Sequence, residues 1–257
     1  MLPESVASEI SESSAPARMT VVDMVWPDQS NHHGTLFGGA ALAMLDRVAF
    51  ILGSRVLRGP VVTAAVSGLD FLAPAPAGYL VECGARVLRQ GRRSVTVATA
   101  LVAEDLLGGA RTDCLGGEFV MVRAGDGVPP PAGPPAAPEA PDAPDGWARA
   151  TVAEIVFPGH ANHRGVLHGG PAMAWISKAG FVAATRQVRR SIVMAASERI
   201  DFKAPARVGD VVEVTARVTA LGRRSIQVQA QMWAESPATG ERRHCTSAEL
   251  VYVAIES

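Results

Sequence analysis

The sequence predicts an α+β protein built from two tandem copies of one domain. Each copy is expected to be a roughly five-stranded antiparallel sheet wrapped around a long central helix. Three observations carry this. First, N-H-H-G-T-L-F-G-G beginning at Asn31 returns 131 residues later as N-H-R-G-V-L-H-G-G at Asn162, with six of nine positions identical. The same offset carries D-F-L-A-P-A at Asp70 onto D-F-K-A-P-A at Asp201, G-R-R-S at Gly91 onto G-R-R-S at Gly222, and Cys114 onto Cys245. A fixed offset over this many motifs means duplication of a whole unit. Second, Val212–Val218 and Ile226–Met232 alternate apolar and polar residues, the period-two pattern of half-buried antiparallel strands. Third, Gly38–Leu57 is rich in Ala, Leu and Met and apolar on every side, as a buried helix must be.

The elements follow in chain order. Residues 1–18 are Ser/Glu-rich without an apolar stretch, so they are expected to form a disordered lead-in and not a secretory signal. Residues 19–123 form the first domain: a short strand over Thr20–Trp26, the helix, and strands including Val61–Phe71 and Thr112–Val122. Residues 124–147 are a spacer. Its Ala124–Gly146 segment holds eight of the chain's 18 prolines, and at about 3.1 Å per residue an extended proline-rich spacer permits almost any docking of the copies. Residues 148–257 form the second domain, whose helix carries Pro171 in its first turn, where a missing N–H costs least. G-R-R-S is expected to be a hairpin connection, with Gly222 available for a positive φ.

Composition narrows the function. The 257 residues carry 24 Lys and Arg against 25 Asp and Glu, a balance unlike that of a nucleic-acid binder. Asp46 and Arg47 interrupt the most apolar stretch, which is too short to span a bilayer. Three widely spaced cysteines, Cys83, Cys114 and Cys245, fit neither a disulfide framework nor a zinc ribbon and suit a reducing cytoplasm.

Among candidate reactive groups Asp46 is the sharpest, a carboxylate in an otherwise apolar helix. Arg47 cannot face it, because adjacent helical residues point apart. Desolvation should raise its pKa, as a general base requires, unless it is an aspartate paired with an arginine at a subunit seam. The equivalent position in the second copy is Ser177, for which no His/Asp arrangement is visible, so a polar core filler is expected and not a nucleophile. His160, His163 and His168 share one loop, but their counterparts are Gln29, His32 and Phe37 and no ligand set is completed. No metal is expected. Asp70 and Asp201 are expected to be structural.

Taken together, N-H-H-G-T-L-F-G-G-A-A-L-A-M-L-D over Asn31–Asp46, D-F-x-A-P-x-x-x-G and G-R-R-S resemble the hotdog-fold acyl-CoA thioesterases, in the branch whose motif leads into an aspartate in the helix. The resemblance covers both copies. It implies hydrolysis of an acyl-CoA to fatty acid and coenzyme A, with coenzyme A as part of the substrate and no cofactor. It also implies that the Asp of one unit works with the Asn of its partner, so that Asp46 faces Asn162 while Asn31 with Ser177 forms a degenerate second site. Backbone N–H groups near the start of a central helix, at Gly38 and Gly39 or at Gly169 and Gly170, would polarise the carbonyl oxygen. Arg92, Arg93 and Ser94, or Arg223, Arg224 and Ser225, would border the coenzyme A phosphates. The resemblance further implies a cytoplasmic protein that self-associates, as a trimer of two-domain chains. The alternatives are a hydratase or dehydratase acting on acyl thioesters, for which Asp28 and His33 are the nearest acid/base pair, and a non-catalytic acyl-CoA-binding protein.

Overall fold

In the computed structural model, residues 17–124 and 146–255 are described; nearly all of the N-terminal lead-in and the proline-rich spacer lie outside them. The first half runs β1 (Arg18–Met24), α1 (Gly38–Leu57), β2 (Val61–Phe71), β3 (Leu80–Gln90), β4 (Ser94–Glu104) and β5 (Arg111–Arg123). The second runs β6 (Arg149–Ile155), α2 (Gly169–Val188), β7 (Ile192–Phe202), β8 (Val211–Leu221), β9 (Ser225–Glu235) and β10 (Arg242–Ala254). Every boundary in the second half lies 131 residues after its counterpart in the first.

Among the described residues, these ten strands form one antiparallel sheet in the order β1-β3-β4-β5-β2-β7-β10-β9-β8-β6. The halves join at β2 and β7, where Ala65 pairs with Asp201, Val66 with Ile200 and Asp70 with Ala196. This register is self-complementary under the 131-residue offset, as an isologous interface requires. Asp70 and Asp201 therefore sit on the central seam, and Asp201 pairs with Arg199 at 2.7 Å.

Each helix lies on its own half-sheet and the two also pack on each other. In α1 only Arg47 and Arg55 are exposed; Arg47 turns away from Asp46 and lies 3.9 Å from Asp23. Leu42, Leu45, Val48 and Leu52 bury into a core with Val97, Leu101 and Phe119. The helices meet through their Gly-Gly starts. A Cβ on Gly39 would stand 2.8 Å from the Cα of Ala174, and one on Gly170 3.0 Å from the Cα of Ala43. Glycine is thus what lets the two backbones touch.

One local expectation needs correction. Gly91 and Gly222 do not adopt positive φ; each G-R-R-S turn closes by an N–H from the glycine to the carbonyl of Ser94 or Ser225 at 2.8 Å. Glycine fits there because a Cβ would crowd the serine Oγ, 3.1 Å away for Gly91 and closer still for Gly222. Both helices end on left-handed arginines, Arg58 at φ 49° and Arg189 at φ 52°, where glycine is the usual residue.

Candidate active site

Asp46 projects from the inner face of α1 and is 2% exposed. One carboxylate oxygen accepts a hydrogen bond from Thr63 Oγ1 at 2.6 Å. The other accepts from the Gly170 N–H at 2.8 Å, so the second half's helix start completes the environment of the first half's carboxylate. The exposed amides and dipole at a helix start favour an anion. Gly169 makes room, because a Cβ there would meet Asp46 Oδ1 at 2.7 Å and Thr63 Oγ1 at 2.8 Å.

Burial pushes the Asp46 carboxyl above its ordinary value; the Thr63 and Gly170 hydrogen bonds and the nearby His168 pull the other way without cancelling the rise. His168 is displaced downward by its own burial, despite the opposing pull of Asp46, so its imidazole is neutral at pH 7. Its ring sits edge-on against Phe50, 4.9 Å between centroids. The thiols of Cys83 and Cys245 are pushed up to about 12 by burial, which removes them as nucleophiles.

A cavity of about 260 Å³ opens beside this carboxylate. Thr63, His168 and Gly169 form its inner wall, Phe50 and Met232 contribute apolar surface, and Asn162, Arg164 and Lys203 line it from the second half. Asp46 stands immediately behind Thr63 and Gly169 and does not itself line the space.

Asn162 is thus brought to the same cavity, with no direct hydrogen bond to Asp46 among the described residues. Its Oδ1 accepts from the backbone N–H groups of Arg164 at 2.9 Å and Val166 at 3.2 Å. Asn31 holds its turn in the same way, through the N–H groups of His33 and Thr35. The difference lies in the amide nitrogen. Asn31 Nδ2 donates to Thr35 Oγ1 at 3.1 Å, whereas position 166 is valine and offers no hydroxyl. The Asn162 amide hydrogens therefore remain available to a ligand.

The glycine pairs divide in the same way. Gly169 and Gly170 border Asp46, but the Gly170 N–H is already given to that carboxylate, which corrects its expected role as a donor to a substrate oxygen. Gly38 lines a different cavity, and Gly39 packs against Ala174. This second cavity, of about 470 Å³, is lined by Asn31, His33, Phe37, Gly38, Ser177 and Met194 among others. Ser177 is 1% exposed and its hydroxyl donates to Met194 Sδ at 3.5 Å; among the described residues no histidine or carboxylate is hydrogen-bonded to it.

The arginine hairpins are exposed, and each contacts a strand end next to a different cavity. The Arg93 carbonyl accepts from the Arg123 N–H at 2.8 Å, beside Val122 and Ala124, which line the Asp46 cavity. Ser94 pairs with Val122 in the same ladder. The Arg224 guanidinium instead holds the Ala254 carbonyl at 3.2 Å, beside Ile255 of the second cavity. Arg92, Arg93 and Ser94 thus adjoin the strand end that lines the Asp46 cavity without lining the cavity themselves, and Arg223, Arg224 and Ser225 line neither cavity.

Thr63, Arg164, His168 and Lys203 escaped the sequence reading as parts of this site. One signal could have found them. At the 131-residue offset they stand opposite Met194, His33, Phe37 and Leu72, so each differs between copies, as Asp46 differs from Ser177. Among the described residues no group of three or more His, Cys, Asp or Glu could hold a metal ion. No helix among them is long and apolar enough to cross a membrane.

Compared with known proteins, residues 33–110 and 164–241 each match the thioesterase superfamily. Acyl-coenzyme A thioesterase 11 of Mus musculus is 25% identical over 94% of this chain. The chain spans about half of that relative, 48% of its length. An acyl-CoA hydrolase from Agrobacterium tumefaciens is 41% identical over 93% of this chain and 96% of its own, with a TM-score of 0.41. A structure from Lactobacillus plantarum described as an oleoyl thioesterase shares the fold, with a TM-score of 0.66 at 10% identity, covering 95% of this chain and 99% of its own.

Proposed function

Because the chain belongs to the thioesterase superfamily, we propose that it hydrolyses an acyl-CoA to a free fatty acid and coenzyme A. It does so in the branch that carries the Asn31–Asp46 motif, with two hotdog domains at 19–123 and 148–257 and one active centre per chain. The observation that carries this reading is the Asp46 carboxylate, held between the Thr63 hydroxyl and the Gly170 N–H beside a cavity lined by Arg164 and Lys203.

Asp46 acts as general base. It takes a proton from a water admitted between Thr63 and Gly169, which stand between the carboxylate and the cavity; the water oxygen attacks the thioester carbonyl, and the Asn162 amide hydrogens receive the developing oxyanion. The tetrahedral intermediate collapses by breaking the C–S bond, and Asp46 returns its proton to the departing sulfur. A thiolate with a pKa near ~8.5 needs little further acid assistance. Both Asp46 oxygens already accept hydrogen bonds, which favours this route over direct carboxylate attack to form an anhydride. Preorganised donors of this kind act most strongly where water is excluded. Arg164, Lys203 and the Arg92–Arg93 hairpin supply the positive charge that coenzyme A phosphates require.

Three buried, unpaired thiols suit the cytoplasm. The outer edges of the sheet carry equivalent exposed aromatics, Trp26 at 51% and Phe157 at 58%, which fit self-association into a trimer of two-domain chains. The direct test follows free thiol released from acyl-CoAs of graded chain length by the purified protein. Absence of release at every length sinks the reading.

Two further outcomes are expected. Thr63→Val removes the hydrogen bond that favours ionised Asp46, so the acidic limb of the kcat/KM profile should move to higher pH. Asn162→Ala should lower kcat by about 10²-fold, as loss of one oxyanion donor typically does, while Asn31→Ala, at the other cavity, should leave turnover nearly unchanged. Steady-state kinetics on both variants gives the ranking; the reverse order means the wrong cavity has been chosen.

A further inference from the structure

The larger of the two cavities is the one without a carboxylate. Across the 131-residue offset most of its differences in polarity from the Asp46 cavity run in one direction, Thr35 in place of Val166 being an exception. Asp46 becomes Ser177, Thr63 becomes Met194 and His168 becomes Phe37. At the mouth, Arg164 becomes His33 and Lys203 becomes Leu72, which is 67% exposed. All five exchanges lower polarity or charge. The space has nevertheless stayed open, at about 470 Å³ against about 260 Å³, within the range of small-molecule sites. A site merely released from service would be free to collapse, since unfilled apolar space costs stability in proportion to its volume.

We infer that this cavity is a non-hydrolytic binding site for a free fatty acid, an apolar chain ending in a single carboxylate. The chain would lie along Phe71, Leu101, Leu115, Phe181 and Ile192. The loss of Arg164 and Lys203 at the mouth argues against a ligand bearing the coenzyme A phosphates. No Asp or Glu lines the cavity to repel one carboxylate, and His32 and His33 stand at its polar end, with the Arg223–Arg224 hairpin just outside. The Asp46 carboxylate has no counterpart here: the Ser177 hydroxyl donates to the Met194 thioether, and burial holds the Cys114 thiol above its ordinary pKa. The class of ligand rests on the thioesterase reading, because a fatty acid is what that reaction would release.

The test titrates dodecanoate, below its micellar concentration, into the full chain by calorimetry. It is done with and without a saturating thioether analogue of dodecanoyl-CoA, which cannot be hydrolysed. The expected result is one dodecanoate per chain in both cases and one thioether per chain. Ala73→Trp, which fills the cavity from a partly exposed position, should weaken dodecanoate at least tenfold and leave thiol release unchanged. Val193→Phe, at another lining position, provides a second blocking variant should the first fail to fold. Displacement of dodecanoate by the thioether, binding of two thioethers per chain, no dodecanoate binding, or binding indifferent to both blocking variants would each overturn the inference. If thiol release and thioether binding are both absent, the thioesterase reading fails, and the dodecanoate stoichiometry in the blocking variants still decides the cavity.

Discussion

Replacing Asp46 by Asn is expected to lower kcat for acyl-CoA hydrolysis by about 10²–10⁴-fold, the usual contribution of a positioned general base, with the fold intact. The asparagine can keep both contacts, its Oδ1 accepting from the Gly170 N–H and its amide donating to Thr63 Oγ1, so the loss reports chemistry and not misfolding. Stability should move the other way. A carboxyl whose folded pKa is raised above its unfolded value stabilises the protein below the unfolded value, and that contribution is lost as pH rises through the folded one. Above both, the native state carries a buried charge that it would hold more easily protonated. The Asp46→Asn variant carries no such charge. Its melting temperature should exceed that of the wild type at neutral pH, and the gap should narrow as pH falls through the carboxyl range. A fully active Asp46→Asn protein would remove this aspartate from the mechanism. A variant less stable at neutral than at acidic pH, relative to wild type, would contradict the assigned direction of the pKa.

The duplicated architecture was legible because duplication leaves a record that needs no folding to read. An Asn-His motif, an Asp-Phe-x-Ala-Pro motif and a Gly-Arg-Arg-Ser motif recur at one offset, and each period-two run reports a buried sheet face. Asp46 was legible for a related reason, since a lone carboxylate in an apolar helix contradicts its surroundings. Thr63 was not. A threonine in a β-branched run is ordinary strand composition, and only the docking of α1 against β2 turns its hydroxyl toward Asp46. The role of the Gly170 N–H was equally hidden, because a backbone donor has no residue type, and its partner lies 124 positions away across the junction of the halves. The sequence could place a glycine pair at each helix start. Which pair meets a carboxylate and which a methionine depends on the contents of the opposite half. The asymmetry between Asn31 and Asn162 lay in plain view as Thr35 against Val166, but its meaning required the 3.1 Å contact from Asn31 Nδ2 to Thr35 Oγ1.

Gly39→Val should produce the second large effect, on stability and activity together, although Gly39 lies away from Asp46. Its missing Cβ is what lets α1 approach α2, with the Ala174 Cα 2.8 Å and the Ala174 carbonyl oxygen 3.2 Å from where that carbon would stand. Both of these obstructing atoms are backbone, so no rotamer change relieves them and the helices must separate. Overpacking of this kind costs about 1–3 kcal/mol, or a fall in melting temperature of about 2–12 °C for a chain of this size. The same separation should draw the Gly170 amide away from Asp46, because Gly170 packs on Ala43 in the reciprocal contact of the same helix pair. Turnover in the folded fraction should therefore fall markedly, with the acidic limb of the pH profile displaced upward, since a hydrogen bond favouring the ionised carboxylate is lost. Gly84→Ala is the matched control. Nothing lies within 4 Å of the added carbon there, and its effect on melting and turnover should be small. A Gly39→Val protein that melts lower but turns over with wild-type kcat and pH profile would show that Asp46 does not depend on the contact between the two halves.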